Sequence, residues 1–429
     1  MTYYIDLIDG NAAADGKSPE NARKDYKDLD IKAGDKVLFK RGTFVREELI
    51  AVSGEEGNPV TYGAYGEGEK PVFCGSVNLG NAEYWVEIKE NIWKCVADVP
   101  TEAGNFIYDH GKSYGALRWS IEELCQQGDW YDSRMGIMCQ SRTGEIFNYD
   151  CYKGDYDLII YSEKNPGEYY SDIECAVFGS GAMAHCDHDT IFEDLSFCNL
   201  AVHGIRGSGT NITVRGCDFI NLGGAVILPD EKIRFGNAVE FWEVCVGCVV
   251  ENCYFYNIYD SGITHQGSIN KVVPVNNIFD NNFFVNCGMS AYECRDFIPV
   301  NTSFNNNVCL NAGEGFSKLG EVMPRSSQIW PLPMGHHVFI WRIKKPTEGG
   351  SLEMKRNKFY NAPYGAAIFT MASDEANAQM SIDENEYFSE NRELCNYFNG
   401  RFYKDFEAYQ KDTGMDANGI NRKVNPFCK

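Results

Sequence analysis

The chain reads as all-β, a single parallel β-helix solenoid, and three observations predict that class. A six-residue phrase recurs through residues 194–389, two of its positions share one parity, and a second short strand follows several of its copies. Asp194-Leu-Ser-Phe-Cys-Asn199 is answered by copies ending at Asn221, Asn257, Asn286, Asn311 and Asn361, and by a fading copy ending at Ser389. The intervals of 22, 36, 29, 25, 50 and 28 residues describe a coil of 22 residues interrupted by insertions. Recurrence on this scale marks a solenoid, whose repeats bury their apolar faces only by stacking.

Two positions before the closing residue stand Phe197, Phe219, Phe255, Phe284, Cys309 and Phe359, and four before it Leu195, Cys217, Cys253, Asn282, Asn307 and Asn357. Side chains two apart on a strand share a face, so both files point inward. A buried Asn needs partners for its amide, and a ladder of amides one coil apart supplies them. The closing Asn suits a tight turn, where it tolerates left-handed backbone and bonds locally. The second strand is read in His203-Gly-Ile-Arg206, Asn237-Ala-Val-Glu-Phe-Trp242 and Ser261-Gly-Ile-Thr-His265.

With 61 acidic and 39 basic residues the net charge is −22, which argues against nucleic acid or an anionic membrane as partner. The 17 cysteines are odd in number, and many occupy repeat slots. Cys217 and Cys253 read as small apolar core residues, and reduced thiols are expected. Cys245-Val-Gly-Cys248 has no second pair at zinc-ribbon spacing and reads as structural. The opening residues lack a basic region followed by an apolar core, so a cytoplasmic location is expected.

Residues 2–8 predict a strand, and Ser18-Pro19 predicts an N-cap and first turn for a lid helix over Glu20–Leu29. Tyr3-Tyr-Ile-Asp6, Gly10-Asn11 and Asp15-Gly-Lys-Ser-Pro-Glu20, with Ala33-Gly-Asp-Lys-Val-Leu-Phe-Lys-Arg-Gly-Thr-Phe44, Gly57-Asn-Pro-Val-Thr-Tyr-Gly-Ala-Tyr-Gly66 and Lys70-Pro-Val-Phe-Cys-Gly-Ser76, resemble the right-handed parallel β-helix carbohydrate-active enzymes, the pectin-lyase-like glycoside hydrolases and polysaccharide lyases. That resemblance implies a right-handed solenoid with helical caps at both ends and a carbohydrate substrate. Residues 81–180 interrupt the repeat with hairpins and loops that would either wall a cleft or pack as a flap, and Ser120–Gln127 reads as helical. Phe402, Phe406 and Tyr409 at helical spacing, closed by Gly414, predict a C-terminal lid helix. The expected division is 1–80 for the N-terminal cap and first coils, 81–180 for the insertion, 181–391 for the main helix and 392–429 for the C-terminal cap.

Aligning the second strands by their Gly or Ala turns Ile205, Val239, Ile263, Tyr292 and Ile368 inward and Arg206, Glu240, Thr264, Glu293 and Phe369 outward. A one-residue slip would turn His265 outward instead of Thr264. Glu240 and Glu293 lead the candidates for catalysis, with Asp260 at the corner between their coils. Arg206, His265, Arg295, Lys318, Trp330, His336, His337 and Trp341 are candidate substrate contacts, the last five within the long insertion from Glu314 to Gly350. Paired carboxylates predict glycoside hydrolysis, and the lack of a secretion signal in the opening residues leads to the expectation of an imported oligosaccharide and exo-action on a short chain. A polysaccharide lyase or uronate epimerase using Lys or Arg, and a non-catalytic glycan-binding solenoid, remain as alternatives. Glu240 and Glu243 could hold Ca²⁺, but no dense Asp/Asn/Gly loop accompanies them and no cofactor is predicted.

Overall fold

The computed structural model describes residues 1–141, 154–266, 272–319, 334–390 and 396–425. Two long, mostly parallel sheets of fourteen and ten strands run side by side, and successive coils contribute one strand to each. In the ten-stranded sheet Phe73, Phe197, Phe219, Phe255, Phe284, Cys309, Phe359 and Tyr387 face one another in register. Ring centroids from Phe197 to Phe219, Phe255 and Phe284 are 5.6, 5.1 and 4.5 Å apart in succession. The file is buried throughout.

Two positions earlier the inward amides do what the pattern requires. Asn282, Asn307, Asn357 and Asn385 each accept, through Oδ1, the backbone N–H at the matching position of the preceding coil, at 2.8–3.0 Å. Their Nδ2 groups donate to the carbonyls of Val250, Phe279, Phe304 and Met354. Asp416 ends the ladder by accepting from the Asn385 backbone and side-chain N–H groups and from the Tyr387 and Tyr409 hydroxyls. The closing residues Asn199, Asn221, Asn257, Asn286, Asn311 and Asn361 all adopt left-handed backbone, φ 53–59°. Their amides bond across coils rather than locally, as in Asn221 to Asn199 at 3.1 Å and Asn286 to Asn257 at 2.8 Å.

The corner entering the fourteen-stranded sheet needs small residues. A Cβ on Gly262 would lie 2.6 Å from the Phe284 ring, and one on Gly204 would lie 2.7 Å from Phe219. In the strand that follows Cys309 the corner slot holds His337, whose ring stacks on Phe359 at 5.6 Å.

Residues 76–132 and 158–177 build two four-stranded antiparallel sheets with a core of their own, including Leu79, Trp85, Phe106, Tyr108 and Trp130. This insertion docks on the coil corners. Arg234 donates to the Gly104 carbonyl at 2.7 Å, and the Tyr114 hydroxyl donates to Asn221 at 3.0 Å. The helix expected over Ser120–Gln127 is only a 3₁₀ turn, Ile121–Glu123, because the Asp129 carboxylate takes the N–H groups of Cys125 and Gln126.

The N-terminal lid helix does not form. A 3₁₀ turn at Pro19–Asn21 gives way to chain that bridges Ile5 through Arg23, and Asp25 captures the N–H groups of Tyr26 and Lys27. At the other end Arg401–Tyr403 is a strand against Asn396–Phe398, so the helix starts later than predicted, at Phe406, and runs to Thr413. Asp405 caps it, Gly414 ends it in left-handed backbone, and Tyr409 joins the main core. The described cysteines are free thiols, all buried except Cys125, and Cys245 and Cys248 sit in the core. No helix among the described residues is long and apolar enough to cross a membrane.

Two outcomes are expected. Asn307→Ala orphans buried N–H and C=O groups on either side and should cost about 3 kcal/mol in chemical denaturation, whereas Asn301→Ala on the exposed edge should cost little. Glu102, wholly buried at the junction of insertion and coils, has its carboxyl pushed up to about 8 by burial and by Asp132. The folded state therefore holds a proton that the unfolded chain has released, and stability should fall as pH rises from about 4.5 to 8. Glu102→Gln should flatten that slope in thermal melts.

Candidate functional site

Strand register brings one outward row together. Arg206 faces Glu240, Glu240 faces Thr264, Thr264 faces Glu293, and Phe339 and then Phe369 continue the line. Phe339 does not align with this row from sequence alone, because its strand, His336–Trp341, lies within the stretch read as the long insertion and carries no Gly or Ala at the corner. Glu240 and Glu293 thus lie two strand spacings apart, about 9.6 Å between backbones. Asp260 begins the intervening coil and is buried.

Each acid is held by specific donors. Oε2 of Glu240 lies 2.7 Å from His203 Nδ1 and accepts from Asn237 Nδ2 at 3.3 Å. Burial alone would raise the Glu240 carboxyl, but His203, with help from Arg206 and Asn237, outweighs it and brings it down to about 2. Glu293, fully buried, accepts from Thr264 Oγ1 at 2.7 Å on one oxygen. Its other oxygen accepts from Trp341 Nε1 at 2.7 Å and from Arg295 Nη2 and Nε at 3.1 and 3.2 Å.

The flanking row is Trp242, Gln266, Arg295 and Trp341, again in register. The Arg295 guanidinium lies 4.7 Å from the Trp341 ring centre, and that of Arg206 lies 5.9 Å from the Trp242 ring. Arg206 enters no ion pair among the described residues and is half-buried beside Glu240. Beyond Glu293 the row is closed by an outward apolar cluster of Met289, Met334, Phe339, Ala366, Phe369 and Tyr397.

Several expected contacts lie elsewhere. His265 faces inward, fully buried, its Nε2 2.8 Å from the Tyr292 hydroxyl and its ring stacked on Phe279. Burial and Arg295 push it down to about 3, so it is a neutral core residue and not a sugar contact. His337 is likewise a core residue, stacked on Phe359 and pushed down to about 3 by burial. His336 lies against Phe369 at 4.4 Å and accepts the Ala366 N–H through Nδ1, which places it in the apolar block. Lys318 bonds Glu314 and Tyr364 at the coil corner. Trp330 lies outside the described residues. Trp341 joins the site, with its indole N–H committed to Glu293.

His203, Asn237 and Thr264 had not been singled out as site residues. Their signal is positional: His203 and Asn237 lie three residues before Arg206 and Glu240, and Ser261 and Ser290, 2.9 Å apart, lie three before Thr264 and Glu293. The corner turns both positions outward. Among the described residues no group of three or more His, Cys, Asp or Glu is placed to hold a metal.

No protein-family model matches the chain, and no curated protein is significantly similar to it. Solved structures are similar in fold. A complex of XylC with xylose is 13% identical, with a TM-score of 0.54 over 91% of this chain and 64% of that one. A GH136 lacto-N-biosidase from Eubacterium ramulus is 12% identical, with a TM-score of 0.49 over 98% of this chain and 66% of that one. A family 28 exopolygalacturonase from Yersinia enterocolitica is 13% identical, with a TM-score of 0.39 over 100% and 77%. The chain spans just under two thirds of the length of the first two. The fold is the right-handed parallel β-helix.

If the His203 pair holds Glu240 ionised, His203→Gln should move the Glu240 titration upward from about 2, as read by ¹³C NMR of labelled glutamate side chains. A titration left in place would show that His203 is not the cause.

Proposed function

We propose that the protein is a glycoside hydrolase acting on an oligosaccharide through carboxylates brought together on the outer face of the solenoid. The observation that carries this reading is the in-register row of Glu240, Thr264 and Glu293. Acids one and two coils apart have backbones about 4.8 and 9.6 Å apart, which brackets the roughly 6.5–9.5 Å at which inverting enzymes hold their carboxyl groups with a water between them. Glu240, held down to about 2, stays ionised at neutral pH and supplies the negative partner, orienting water and stabilising positive charge at the sugar carbon. The proton for the leaving oxygen is assigned to Asp260, the buried acid that begins the intervening coil, since both oxygens of Glu293 accept from Thr264, Trp341 and Arg295.

Arg206, which enters no ion pair among the described residues, offers N–H donors beside the row to a polar substituent of a sugar. The apolar block at Phe339 and Phe369 closes one end of the row, which supports action at a chain end. The engagement of Lys318 with Glu314 and Tyr364 weakens a lysine-based lyase.

Glu240→Gln and Glu293→Gln should each lower release of reducing sugar by about 10³-fold or more while leaving an oligosaccharide binding isotherm measurable, and Asp260→Asn, which removes the proton donor, should do the same. Aryl glycosides and mixed oligosaccharides followed by NMR provide the assay. Full activity in both Glu variants, or an unsaturated uronate product from wild type, would overturn the hydrolase reading. Binding without turnover by wild type would leave a glycan-binding solenoid.

A further inference from the structure

On a different part of the surface, where the insertion leaves the coils, two cysteines face each other. Cys74 and Cys198 are directly paired positions of neighbouring parallel strands, which puts their backbones about 4.8 Å apart. That lies within the span a disulfide bridges. As directly paired positions their side chains leave the sheet on the same face, and N–H donors converge on the Cys74 sulfur. The Ser76 hydroxyl lies 3.1 Å from it, and Arg46 Nη1 and Asn199 Nδ2 each reach it at 3.7 Å.

Arg46 is fixed in this position by Glu174, at 2.5 and 2.6 Å, and Ser76 donates to the same carboxylate at 2.6 Å. No such cradle surrounds the stacked thiols Cys217 and Cys253, which lie in the core and bond only carbonyls. Burial pushes both of those upward. Cys74 is instead brought down by its contact with the Cys198 thiol, while Cys198 is raised by the same contact, and the Arg46 and Asn199 N–H groups reach the Cys74 sulfur. One thiol is thus set to be a nucleophile and its neighbour to resolve it.

We propose that Cys74 and Cys198 form a site of reversible two-electron oxidation, closed to a disulfide by a hydroperoxide. The Cys74 thiolate attacks the peroxide oxygen, giving a sulfenic acid at Cys74 and releasing hydroxide or alkoxide. The Cys198 sulfur then attacks the Cys74 sulfur, the S–S bond forms, and the Cys198 proton leaves with the hydroxyl as water. The peroxide O–O bond is reduced by two electrons, and the two thiols are oxidised by two. Arg46, whose side chain is 35% exposed, forms the outer edge of the cluster, so a small oxidant has a short path to the sulfur. The bond would tie the strand Val72–Cys74 to Ser196–Cys198, closing the loop that contains the whole insertion.

The test exposes the full chain to equimolar hydrogen peroxide, quenches with an alkylating agent, and maps peptides by mass spectrometry. The proposal expects the first product to lose two hydrogen masses, to link the Cys74 and Cys198 peptides, and to revert with dithiothreitol. Cys198→Ser should leave a sulfenic acid at Cys74 that dimedone traps, and Arg46→Gln should slow oxidation about tenfold. Earlier oxidation of another cysteine such as Cys125, absence of the 74–198 link, or no dimedone adduct in Cys198→Ser would overturn it.

Discussion

The interaction on which the structure depends is the bonding of inward asparagine amides to the backbone of the preceding coil. An apolar file of Phe side chains favours stacking but tolerates sliding, because dispersion contacts are not directional. A buried amide is directional, and leaving its groups unmade costs about 1–3 kcal/mol each. Asn282, Asn307, Asn357 and Asn385 each accept a backbone N–H and donate to a backbone carbonyl, so each coil has a single register that satisfies them. Asp416 supplies the last acceptor, which ties the C-terminal helix to the same ladder.

A fixed register on the inside fixes the outside too, since side chains alternate across each strand. Arg206, Glu240, Thr264 and Glu293 come from residues 87 positions apart in sequence, yet they form one line because Ile205, Val239, Ile263 and Tyr292 are locked beneath them. The donors that hold the acids arrive by the same means. His203 reaches Glu240 from the neighbouring coil, and Trp341 reaches Glu293 from the one after. Acids this deeply buried would be unstable as lone charges, so their partners are as much a condition of the fold as of any chemistry.

Much of this architecture was legible in the sequence, because a repeated six-residue phrase states both parity and register. The outward row could be aligned by the small corner residues, and the contacts with the Phe rings show why those residues are small. What escaped were exceptions to the repeat. His337 fills a corner and stacks on Phe359, so the strand His336–Trp341 has no Gly or Ala to align by, and from sequence alone both of its histidines read as substrate contacts. The repeat alone allows His265 two registers, and its bond to Tyr292 inside the core decides between them. The N-terminal helix failed for a local reason, the competition of Asp25 for backbone N–H groups, which a helix-start motif does not weigh.

The central claim is that acids from separate coils act as one unit. The most direct measurement is a double-variant cycle on hydrolysis, comparing Glu240→Gln, Glu293→Gln and the two combined on one oligosaccharide. Groups that serve a single transition state are strongly non-additive, so the double variant should be no slower than the slower single one. Losses that multiply would mean that the two carboxylates work independently, and would contradict the account.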